Sequence, residues 1–126
     1  MKMIGVNYHI KMIIPNKGEI NAELIRIKAP QLTEQLVRIL PLNTRAIRRG
    51  NIFLIPINQT FGIEKPIKKV KKSDLVYDPK SQAILIILED TELGFRVAQI
   101  GTVVKNLKLI QKLKTTVGVR IESLNQ

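Results

Sequence analysis

Apolar and polar positions alternate loosely over residues 8–14 (YHIKMII), the period of a half-buried strand. Pro15-Asn16-Lys17-Gly18 follows with turn chemistry, and Gly18 is free to take a positive φ. A second run over residues 19–27 carries Ile20, Ala22 and Leu24 and then switches phase at Ile25 and Ile27. These two runs predict an antiparallel hairpin. The period changes at Ala29-Pro30. Proline suits a first helical turn, where its missing N–H costs nothing, and Leu32, Leu36, Ile39 and Leu40 fall on one face of a helix running to about Leu40. Pro41 ends that helix, because the residue before a proline avoids the helical region. Residues 42–51 (LNTRAIRRGN) then read as a polar, basic segment that turns at Gly50.

The second half is strand-rich. Residues 52–57 (IFLIPI) predict a short buried strand whose Pro56 implies an edge or bulge. A loop follows over residues 58–65 around Gly62. Residues 66–77 alternate weakly, with Ile67, Val70, Leu75 and Tyr77 facing inward and the lysines outward, before a turn at Asp78-Pro79-Lys80-Ser81. Residues 83–89 (AILIILE) are apolar on both faces and so predict a central strand. Two further strands are expected over 95–104 and 117–124. Between them Leu107, Ile110 and Lys114, with Leu109 and Leu113, take up helical spacing directly after the β-branched Val103-Val104. Many short strands and two short helices predict a mainly β protein, a closed barrel capped by those helices. Closure would also remove exposed edges from an Ile-rich sheet.

The length of 126 residues suits one domain spanning 1–126, with 1–7 as an N-terminal extension. With 44% hydrophobic and 25% charged residues the composition is that of an ordinary folded domain. The absence of cysteine excludes a disulfide framework and any thiolate metal site. The longest apolar stretch, residues 83–88, is too short to span a bilayer, and the N-terminal segment lacks a signal-peptide pattern. A cytoplasmic protein without a membrane partner is the expectation, and its oligomeric state stays open. Charge changes the picture most. Lysine and arginine total 21 against 10 acids, a net charge of +11, which favours polyanionic partners.

Several segments together resemble the small prokaryotic, archaeal and bacterial, cyclophilin-like family of uncharacterised function. They are QLTEQLVRIL after the first hairpin, NIFLIPI, SDLVYDPKSQAILIILEDT and VAQIGTVVKNLKLIQKL. In the last, Gly101, Val103 and Val104 match the family's Gly-x-Val-Val strand, and Asn106 stands where the family has a turn glycine. Asparagine is the non-glycine residue that best tolerates a left-handed conformation. The resemblance covers residues 8–124 and implies a cyclophilin-like barrel with a groove for Xaa-Pro peptides. Arg45-Ala46-Ile47 with Gly50 is similar to the family's Arg-Val-Ile-Pro-Gly, which makes Arg45 the candidate for its catalytic arginine. Phe53-Leu54-Ile55 is similar to Phe-Met-Ile, so the resemblance places Phe53 and Ile55 in a ligand-binding groove beside Arg45. Pro56 stands in place of the family's glutamine, tryptophan is absent, and the single histidine, His9, lies in the first strand. With those pocket groups missing, a barrel that binds and catalyses little is expected.

Other chemistry is sparse. His9 has no partner at metal-ligand spacing, and Glu89-Asp90-Thr91-Glu92 fits no calcium loop and reads as a solvated turn. Neither a phosphate-cradling glycine loop nor a serine nucleophile elbow occurs, and no metal or cofactor is expected. Two basic clusters stand out: Arg48 and Arg49 beside Arg45, and Lys65, Lys68, Lys69, Lys71 and Lys72. Lys105, Lys108 and Lys112 recur at helical spacing. If these faces adjoin, phosphate backbones would bind them through counterion release. Five aromatics supply little for base stacking. Three readings follow: a non-catalytic module for a peptide or small ligand, a weak peptidyl-prolyl isomerase using Arg45, and a nucleic-acid-associated protein using the basic faces.

Overall fold

The computed structural model describes residues 7–124. Most of the expected extension at 1–7 therefore lies outside the described residues. Its last residue, Asn7, bonds through its side chain to Glu23 and to the backbone N–H of Arg26.

The first hairpin forms as its alternation predicts: β1 (Tyr8–Ile14) pairs with β2 (Gly18–Leu24), Ile14 opposite Gly18. The phase switch after Leu24 ends the strand, and Arg26–Lys28 form one 3-10 turn. Helix α1 (Pro30–Arg38) starts at the proline and buries Leu32, Thr33 and Leu36. Its sequence offers no side-chain cap, so Glu64, from the long loop before residue 67, accepts the N–H groups of Gln31 and Leu32. The helix stops at Arg38, before the cis Leu40–Pro41 bond.

Strand β3 (Leu42–Arg49) occupies the polar, basic segment before Gly50, for which the sequence predicts no strand. Its inner positions are Thr44, Ala46 and Arg48, too short or too polar to give an apolar alternation. A turn at Gly50 (φ +59°) leads into β4 (Ile52–Pro56). Residues 66–77 hold two strands rather than one, β5 (Ile67–Val70) and β6 (Asp74–Asp78), because Lys71-Lys72-Ser73 form a turn with Ser73 at φ +81°. Then come β7 (Ala83–Ile87), β8 (Thr91–Lys105), α2 (Leu107–Lys112) and β9 (Val117–Ser123). The expected left-handed join precedes α2: Asn106 has φ 69° and ψ 33°.

The strands run in the order β2-β1-β9-β3-β4-β7-β6-β8, and β2 pairs back onto β8, so eight strands close an antiparallel barrel. Closure passes through Leu24 opposite Gly101. A Cβ at Gly101 would run into the carbonyl oxygen of Glu23, with Leu24 Cα 3.0 Å away. Glycine is needed there because the two backbones approach too closely for a side chain.

The ninth strand, β5, pairs only with the first half of the 15-residue β8. That ribbon lies outside the barrel and explains why β7 is buried on both faces. Ile84 and Ile86 point into the main core with Phe53, Leu75 and Tyr77. Ala83, Leu85 and Ile87 point outward to a second cluster with Val70, Val76, Leu93 and Val97. The two helices close opposite ends: α1 lies between the ends of β2 and β3, α2 between those of β8 and β9.

Replacing Gly101 by alanine is expected to lower stability by about 3 kcal/mol or more, because the clash is with backbone and no side chain can yield. Urea unfolding measures this. A Gly101→Ala variant as stable as the parent would show that β2 and β8 need no such approach.

Candidate functional site

The barrel interior is filled by its own side chains. Phe53 and Ile55, the expected groove residues, are 0% and 1% exposed and belong to the main core. Beside them remains a void of about 10 Å³ walled by residues such as Met12, Ile20, Ile86 and Ile110. That is space for about one water, with apolar walls that give it no hydrogen bond. Nothing of ligand size enters there.

Arg45 lies on the other side of the wall. Ala46 is buried inside β3, so Arg45 projects outward, exposed, opposite Gly118 of β9. The structure therefore does not assemble Arg45, Phe53 and Ile55 into one groove. Arg48, three positions on, shares the inner face with Phe53, its register partner, and its guanidinium stands 5.7 Å from that ring. Its Nη1 donates to the carbonyls of Gln111 (3.1 Å) and Leu113 (3.0 Å), and its Nε to that of Gly50. Those first two carbonyls close α2, where a helix leaves acceptors free and carries partial negative charge. Arg48 thus fastens α2 to the barrel wall.

Around that fastening a basic end is built from segments distant in sequence. On α2, Ile110 is buried while Lys108 and Lys112 are exposed, with Lys105 just before the helix. The β5–β6 turn reaches α2: Ser73 accepts the N–H of Val103, and Lys72 lines an open depression of about 380 Å³ with Asn106, Leu107, Lys108 and Gln111. Arg49 and Gly50 of the β3–β4 turn stand beside Arg48. The β1–β2 turn arrives from the other side, where Leu109 packs against Gly18, bringing Lys17, and Asn106 donates its amide to the carbonyl of Glu19. Sequence reasoning missed Lys17, Asn106 and Gln111 as neighbours of these lysines. No local pattern marks them, since the contact is tertiary.

This end also carries acids: Glu19 is exposed beside Asn106, and Asp74 accepts the backbone N–H of Lys71 at 2.9 Å. Glu89 accepts the Asn51 amide, and Asp90 accepts the backbone N–H of Lys72 at 2.8 Å. Of the expected solvated turn at 89–92, only Glu89 and Asp90 are connecting residues. Thr91 and Glu92 begin β8, and Glu92 stands opposite Lys69 in the ribbon. The lysine strip 65–72 consequently divides. Lys71 and Lys72 belong to the α2 end, Lys68 and Lys69 to the exposed ribbon, and Lys65 to the α1 end, where its Nζ donates to the Ile27 carbonyl at 3.1 Å.

At the α1 end, cations and acids are paired more closely. Tyr8 donates to Glu34 at 2.6 Å, and Arg26 covers the Tyr8 ring and pairs with Glu34 at 3.5 Å. That hydrogen bond, followed by partial burial and the carboxylate's charge, holds the Tyr8 hydroxyl pKa above the usual tyrosine value. On the outer wall the hydrogen bond from Arg120, aided by the charges of Arg120 and Lys11, holds the Glu122 carboxyl below its usual range. His9 is exposed on β1. Among the described residues no group of histidine, aspartate and glutamate is placed to hold a metal, and no helix is long and apolar enough to cross a membrane.

Comparison with known proteins bears on the fold alone. No protein-family model matches the chain, and no curated protein matches it in sequence. Among solved structures it resembles the solution structure of the hypothetical protein AF2241 from Archaeoglobus fulgidus, with a TM-score of 0.78 at 21% identity over 97% of this chain and 98% of that one. It also resembles McbB in complex with tryptophan, with a TM-score of 0.78 at 18% identity over 93% of this chain. There it covers only 45% of the neighbour.

Arg48→Ala strands the Gln111 and Leu113 carbonyls. It is expected to lower stability by about 1–3 kcal/mol and to speed amide exchange in α2 more than elsewhere. Unchanged exchange in α2 would contradict the fastening role.

Proposed function

We propose that this chain is a cyclophilin-like barrel acting as a non-catalytic binding module, and that its ligand is nucleic acid held at the α2 end. The observation that carries this reading is the convergence of Lys72, Lys108 and Arg49 on one barrel end from three segments far apart in sequence. Lys17, Lys71, Lys105 and Lys112 widen the same field. Lysines so placed neutralise phosphates as point charges, and release of condensed counterions supplies the affinity. Asn106 in the left-handed conformation, at the turn-glycine position, supports the cyclophilin-like assignment of the barrel.

The groove readings draw less support. A prolyl-peptide groove needs Arg45 beside Phe53 and Ile55, and the wall of the barrel separates them. The main interior void of about 10 Å³ is too small for a proline ring. The outward face of β4, β6 and β7, a further place for a ligand, is covered by the β5–β8 ribbon. A small-ligand or isomerase role that uses Arg45, Phe53 and Ile55 therefore has no pocket inside the barrel to work from, whereas the basic end is exposed as it stands.

Binding of a labelled nucleic acid, followed by fluorescence anisotropy, is expected to weaken by about a hundredfold between roughly 50 and 200 mM salt if about four phosphates are contacted. Lys72→Ala with Lys108→Ala should lower affinity at least about tenfold at low salt, with a shallower salt slope. Lys80→Ala, in the turn between β6 and β7 at the opposite end, should leave it unchanged. Equal losses for both variants would mean diffuse attraction to the whole surface and would remove the α2 end as the site.

A further inference from the structure

We infer that the α2 end takes double-helical nucleic acid in preference to single strands, and takes it without regard to sequence. This rests on the nucleic-acid reading above and names the form of the ligand. The first ground is where the aromatic rings lie. The chain has two tyrosines and three phenylalanines. Phe53 and Tyr77 are buried in the core. Phe61 packs on Tyr77 with ring centroids 5.7 Å apart, at the α1 end, and Tyr8 is held there by Glu34 and Arg26. Phe95 packs under the outer ribbon. No ring is left to stack an unpaired base at the α2 end. Stacking is worth about 1–3 kcal/mol per base to proteins that hold single strands, and this surface forgoes it.

The second ground is what the polar groups there are already doing. Bidentate recognition of base edges uses the arginine fork and the asparagine or glutamine amide. The Arg48 fork is committed to the carbonyls of Gly50, Gln111 and Leu113, and the Asn106 amide to that of Glu19. Arg49 and Gln111 also stand at this end, but lysines, which register charge and not base identity, outnumber them. Their best partner is the densest phosphate array. A duplex carries its charges more closely along its axis than one strand, and a cation bound to it releases more counterion. The surface also suits this shape, because Lys72 and Lys108 border a shallow, open depression with no deep cleft for threading a strand.

The test is anisotropy of the whole chain with a duplex DNA of about 16 base pairs, a second duplex of unrelated sequence, and each strand alone, at low salt. Vesicles of equal parts phosphatidylserine and phosphatidylcholine form a further arm. The expected result is about tenfold tighter binding to duplex than to either strand, with the two duplexes alike within about twofold. Single strands bound as tightly as duplex would overturn this inference and leave the nucleic-acid reading standing. A marked preference between the duplexes would overturn its sequence-independent half. Failure of every nucleic acid, with or without binding to the vesicles, would overturn the underlying reading itself.

Discussion

The structure depends on the approach of β2 to β8 at Gly101. The sheet meets itself where β2 pairs with β8, from Asn21 opposite Lys105 to Leu24 opposite Gly101. The absence of a side chain lets the two backbones hydrogen-bond at that point. Closure satisfies the edges of eight strands at once and leaves an interior only as wide as its side chains fill. Both ends of such a barrel must then be sealed. Here α1 and α2 do so, each inserted where the chain crosses the barrel end past two intervening strands, β1 and β9 between β2 and β3, and β2 and β1 between β8 and β9.

A filled interior leaves no room for a ligand inside the barrel, and the second apolar layer narrows the outer wall further. The β5–β8 ribbon buries the outer face of β7 and its neighbours, so the wall that an outside groove would use is occupied. Exposed chemistry therefore gathers at the ends, and the two ends differ. At the α1 end Glu34 and Glu64 answer Tyr8, Arg26 and the helix N-terminus. At the α2 end the helix places Lys108 and Lys112 outward because Ile110 must face inward, and three turns add their lysines and arginines around it. The field is thus a consequence of how the barrel is plugged.

Much of the fold was legible because its signals are local. The period of the first hairpin, Pro30 at the helix start, the two-sided apolar run of β7 and the asparagine before α2 each act within a few residues. β3 escaped notice because its inner positions are threonine, alanine and arginine, and Arg48 is inward only because α2 offers it carbonyls. The expected groove failed for a related reason. Successive residues of a strand face opposite sides, so Arg45 and Arg48 differ in face although they belong to one basic run. The charge clusters themselves were visible, but their meeting was not, since Lys72 and Lys108 become neighbours only when β5–β6 folds against the end of β8.

The most direct measurement of the central claim is an amide chemical-shift map of the whole chain titrated with a short duplex. The account predicts that shifts concentrate in α2 and in the turns at 15–18, 49–51 and 71–73. Shifts concentrated instead in α1 and the loop at 58–66, or confined to Arg45 and its neighbours on β9, would contradict it.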